Sequence, residues 1–125
     1  MVTYDEYFGD ILNRILESHR TISGLEDRPG DLTIINREIA KIMALFGTIA
    51  SRVGTEKDPP PTHRELAEIA GGYMETYSFE HEIRMLGPAY SEDPHRIRNI
   101  RYKILESFEE RKLVDRIKYI IEDLQ

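Results

Sequence analysis

From Asp93 onward the chain reads as one uninterrupted helical segment, and nothing else in the sequence constrains the fold as strongly. Asp93 suits an N-cap, Pro94 fits the first helical position, and neither Gly nor Pro follows through Gln125. Apolar side chains return at Ile97, Ile100, Ile104 and Phe108, then at Leu113, Ile117, Ile120, Ile121 and Leu124. Gaps of three and four place them on one helical stripe. A helix of that extent is about 45 Å long at 1.5 Å per residue, too long for a small globule to bury unless other helices run beside it. The stripe skips a turn across Glu109-Glu110-Arg111-Lys112 and Ser107-x-x-Glu110 has the form of an internal cap, so the pattern fits either a continuous rod or one bent near Glu110.

The neighbours are legible upstream. A first helix is predicted from about Tyr4 to Ser23, opened by a Thr3-x-x-Glu6 capping box and stopped by Gly24. Its stripe is Phe8, Ile11, Leu12, Ile15 and Ile22, with His19 on the same face. Pro29-Gly30 marks a turn. The second helix starts at Asp31 or Thr33 and ends at Gly54, with Ile35, Ile39, Ile42, Phe46, Ile49, Ala50 and Val53 inward. Ile34, Met43 and Leu45 widen its apolar face, so this helix is expected at the centre. The run Pro59-Pro60-Pro61 is a stiff connection. Thr62-x-x-Glu65 reads as a second capping box, opening a third helical region with Leu66, Ile69, Ala70, Tyr73 and Tyr77. Gly71-Gly72 weakens that region by about 1 kcal/mol per glycine relative to alanine, and Ser78 can recap a new helix. Two short helices are expected, Thr62 to about Tyr77 and about Ser78 to Leu86, followed by a loop from Tyr90 to Asp93.

These segments predict an all-α fold: a single antiparallel four-helix-bundle-like domain over residues 1–125, with three long helices and a broken third region. Counted piece by piece, the bundle has five or six helices. Hydrophobic residues make up 40% of the chain and charged residues 32%, which is globular composition. With no cysteine, disulfides, zinc–thiolate sites and thiol catalysis are excluded. No apolar run reaches the roughly 18 residues that span a bilayer. The acidic start lacks a charged-then-apolar leader, so the expected compartment is the cytoplasm. A net charge of −6 disfavours bulk attraction to nucleic acid or anionic membrane. Arginine outnumbers lysine more than two to one, which with the absent cysteine leans toward a thermophilic source.

Two constellations could carry chemistry. On a continuous helix Tyr73, Tyr77 and His81 would share one stripe, and a histidine among phenols can act as an acid or base. The structural alternative is two tyrosines turning their hydroxyls outward with a histidine ending the row. The second set is His95, Arg96, Arg98, Arg101 and Lys103, near a helix N-terminus that already favours anions. These cations flank both sides of the apolar stripe, and Lys103 is spaced for a surface ion pair with Glu106. No glycine-rich phosphate loop accompanies them. Helical bundles also host di-metal sites built on Glu-x-x-His. The only such spacing, Glu92-x-x-His95, straddles Pro94, so no metal or other cofactor is expected. Ser18 and His19 adjoin, but neighbours on a helix diverge by about 100° and do not form a nucleophile–base pair.

Arg14 and His19 match Arg-x4-His, which resembles the signature of HEPN-type helical ribonuclease domains, and the amphipathic two-helix opening is similar too. The resemblance implies a ribonuclease or antitoxin-type module with Arg14 and His19 at its centre. The family carries this motif late in the chain, with a polar residue after the arginine, whereas Ile15 follows Arg14 in the first helix. The pattern does not amount to membership.

Three functional expectations follow. The first is a non-catalytic scaffold or interaction protein that forms a homo-oligomer, a dimer above all, because a long last helix and a widened second helix leave surplus apolar surface. The second is a small-molecule or nucleotide-binding protein or enzyme with a pocket near Tyr77, His81 and Arg101. There Tyr77 and His81 would be the catalytic candidates, and Tyr73, Arg98 and Arg101 the ligand-binding ones. The third is the HEPN-like module.

Overall fold

The protein is all-helical in its computed structural model, which describes residues 4–125 and, at positions 88 and 89, the backbone alone. Seven helical segments follow one another among the described residues. They are α1 (Tyr4–Ser23), α2 (Asp31–Thr55), α3 (Pro61–Thr76), α4 (Phe79–Met85), α5 (Gly87–Tyr90), α6 (Pro94–Glu110) and α7 (Leu113–Leu124). Five of these are twelve residues or longer; α4 and α5 are short connecting pieces.

α2 packs against α1, α3, α4 and α6, the central place its broad apolar face predicts. Ile35, Ile39, Ile42, Phe46, Ile49 and Val53 are buried along it, and the widening residues Ile34, Met43 and Leu45 are half-buried. α1 lies between α2 on one side and α6 and α7 on the other, burying Phe8, Ile11, Leu12, Ile15, Leu16 and Ile22. The connection between α1 and α2 is short and turns through left-handed backbone at Asp27 (φ 64°) and Gly30 (φ 95°). Gly30 takes that conformation freely, and Asp is among the few other residues that tolerate it. Thr3 lies outside the described residues, so the first capping box does too. The second box does not form: Pro61 opens α3, and the Thr62 hydroxyl donates instead to Asp123 on α7, at 2.8 Å.

α3 continues through Gly71 and Gly72 and stops at Thr76, and α4 begins after Ser78, as expected from two short helices. Gly87 to Tyr90 adds one more turn of helix where a loop was expected to start. Asp93 caps α6 as predicted, accepting from the His95 backbone N–H at 2.9 Å.

The single rod expected from Asp93 to Gln125 is instead two helices. Lys112 adopts left-handed backbone (φ 51°, ψ 38°) and separates α6 from α7. The reason lies in the apolar spacing. Phe108 and Leu113 are five residues apart, so on a straight helix they would point about 140° away from each other. Both are about 1% exposed. The chain changes course after Glu110, and α7 packs on α1, α3 and α6 with Leu113, Ile117 and Ile120 inward. Ser107 is no internal cap: its hydroxyl is buried and donates to the Ile104 carbonyl.

Candidate functional site

Tyr73, on the buried face of α3, is fully enclosed by Phe46, Phe108 and Tyr77, with ring centroids 4.7 to 5.3 Å away. The Ser107 hydroxyl spends its proton on Ile104, so the Tyr73 phenol donates to Ser107 Oγ, at 2.8 Å. Burial holds its ionisation well above the ordinary phenol range. Tyr77 is the residue after α3. It is half-buried, stacks on Phe79 at 5.4 Å, donates to Glu110 at 3.1 Å and lies under the Arg111 guanidinium. His81 sits on α4 with its side chain exposed. The helix ends between Tyr73 and His81, so the three rings do not share a stripe.

The cations of α6 also part company. Arg98 is exposed and donates to His95 Nδ1 at 2.9 Å. Arg101 is 8% exposed and turns inward to the α1–α2 connection, where Nε and Nη2 hold both oxygens of Asp27 at 2.7 and 3.0 Å. The Ser23 carbonyl lies 3.4 Å from Nη1. Asp27 holds the guanidinium in its charged form and occupies the fork that an anionic ligand would use. The structure therefore does not bring Tyr77, His81 and Arg101 together in one pocket. Arg14 and His19 diverge as well. Arg14 is exposed beside a groove between α1 and α2, while the half-buried His19 ring packs on Phe108 at 4.7 Å and lines a groove between α1 and the α6–α7 junction. Burial, with the charges of Arg20 and Lys118, pushes the His19 imidazole below its usual value.

Two buried polar centres were not singled out from the sequence. Glu38 of α2 is 4% exposed at the floor of the α1–α2 groove. Burial opposes its ionisation, but bonds from Ser18, Lys41 and Arg37 outweigh it and hold the carboxyl below the ordinary range. The second is His63, 4% exposed in the first turn of α3. Its Nδ1 meets the Glu56 carboxylate at 2.8 and 2.9 Å, its Nε2 meets Asp5 at 2.8 Å, and its ring stands edge-on to Phe8. Only the imidazolium can donate at both nitrogens. Burial works against that charge, yet the two carboxylates outweigh it and raise the imidazole above its usual value. A sequence signal existed for each: Glu38 and His63 both fall among apolar positions of their helices. Among the described residues no group of three or more His, Asp or Glu is arranged to hold a metal ion.

A groove of about 460 Å³ with a partly apolar lining runs between α4 and α6. Met85, Leu86, Ile100 and Tyr102 line it with His81, Glu82, Arg96, Asn99, Lys103 and Glu106. Met85 is 72% exposed and Tyr102 55%. Tyr90, also exposed, is covered on one side by Arg96, whose guanidinium carbon sits 4.9 Å from the ring centroid. The ion pair expected between Lys103 and Glu106 is not formed, and neither side chain has another partner among the described residues. No family model, curated protein or solved structure matches this chain.

Proposed function

We propose that this protein is a non-catalytic helical interaction module that self-associates, with the dimer as its working form. The observation that carries the reading is the α4–α6 groove. Three of the exposed large side chains, Met85, Tyr90 and Tyr102, gather along it or beside it, whereas Tyr4 on α1 and Tyr119 on α7 stand exposed singly. Clustered Tyr and Met with an arginine nearby is the composition of contact surfaces that exclude water when covered. Several buried polar side chains support the same reading, because they tie distant parts of the chain together: Tyr73 to Ser107, Arg101 to Asp27 of the α1–α2 connection, and His63 to Glu56 and Asp5. Sedimentation equilibrium of the full chain over a range of concentrations tests it. The expected result is a reversible monomer–dimer equilibrium, and a strict monomer at millimolar protein would overturn the reading.

A further inference from the structure

The outer side of α6 carries a charge pattern that is complementary to itself. Arg96, Asn99, Lys103 and Glu106 recur at gaps of three, four and three, so they form one stripe, and all four line the α4–α6 groove. With Glu82 of α4, this rim holds two acids and two bases, on a chain whose net charge is −6. None of these four charged groups forms an internal ion pair among the described residues. A nucleic acid would need a basic excess here. A second copy would be repelled by the acidic remainder of the surface but not by this balanced face.

We infer that the occupant of the α4–α6 groove is a second copy of this chain, docked with its α6 antiparallel to the first about a two-fold axis at the level of Arg101. The inference rests on the self-association reading and specifies its surface. An isologous contact sets each residue against the one equally far on the other side of the axis. With the axis at that level, Arg96 falls opposite the partner's Glu106, and Glu106 opposite the partner's Arg96. Asn99 falls opposite the partner's Lys103. Tyr102 and Ile100 also line the groove, but they sit two residues apart on different flanks of α6. The Tyr102 ring lies against the Arg101 guanidinium at 5.0 Å, so the charged stripe sets the pairing. A parallel arrangement would set Arg96 against arginine and Glu106 against glutamate, which like-charge repulsion disfavours. Met85 and Leu86, at the α4 side, would be covered by the same approach.

A charge swap tests both the surface and its direction. Arg96→Glu and Glu106→Arg each place like charges opposite one another twice per dimer, whereas the double variant restores opposite signs. All these positions are exposed, so helix content by circular dichroism should match the wild type. Each single variant is expected to weaken the dimer by about tenfold or more, and the double variant to return to within about threefold of wild type, the pattern of a directly coupled pair. Single variants that dimerise as well as wild type, or a double variant no better than the singles, would overturn this pairing while leaving self-association through another surface intact. A wild-type chain that stays monomeric would overturn the pairing and the self-association reading together.

Discussion

His63 holds the strongest local electrostatic commitment in the molecule, because its two ring nitrogens each face a carboxylate from a different part of the chain. Asp5 belongs to α1, Glu56 caps the end of α2, and His63 opens α3. The folded state raises the imidazole above its ordinary value near 6.5, so it binds more protons than the unfolded chain as pH climbs past that value. The stabilisation is therefore complete below about pH 6.5 and is lost as pH rises through the raised folded value. Urea midpoints of the wild type should fall over that rise. His63→Ala should cost about 1–3 kcal/mol at pH 6, through lost buried hydrogen bonds, and flatten the pH response. A variant with the wild-type slope would contradict this assignment. Local spacing assigns His63 no partner in the sequence. Its partners are 7 and 58 residues away, and long-range pairings of that kind leave no local spacing to read. Arg101 shows the same limit. Its place on α6 looked like anion-binding chemistry until the α1–α2 turn supplied Asp27, a partner 74 residues away.

Among the elements, helix existence and inward faces were legible because they rest on periodicity, and the α6–α7 break was only half legible. The interrupted stripe announced a change of direction near Glu110, but not that Lys112 would take left-handed backbone, which the need to bury both Phe108 and Leu113 decides. Thr62 had the right spacing for a cap, yet Pro61 took the first helical position ahead of it and freed its hydroxyl for α7. α3 carries the clearest element-level prediction. Gly71 lies within the helix, its backbone is not left-handed, and a Cβ there would meet nothing within 4 Å. Gly71→Ala should therefore stabilise the protein by about 0.5–1 kcal/mol, from helix propensity and a less flexible unfolded chain. The melting temperature should rise by about 2–6 °C in calorimetry. An unchanged or lower melting temperature would mean that this part of α3 does not persist as helix in solution.

For the molecule as a whole, the helices share one continuous apolar cluster, with contributions from α1, α2, α3, α4, α6 and α7. A chain of 125 residues with a single such core should unfold in one step. At fixed protein concentration, the near-ultraviolet signal of its tyrosines and the far-ultraviolet helix signal should give coincident transitions. Two separated transitions would split the bundle into independent parts. That core is also dominated by isoleucine, with Ile15 on α1, Ile42 on α2, Ile69 on α3, Ile83 on α4, Ile104 on α6 and Ile117 on α7 all buried. An isoleucine in a helix is held almost entirely in one χ1 rotamer. Each terminal methyl group therefore occupies one fixed and different surrounding, so selective carbon-13 labelling of a single residue type places a magnetic reporter on six of the seven helices. Ile100, at the floor of the α4–α6 groove, would register a docking copy directly, while Ile42 deep on α2 would serve as the silent reference.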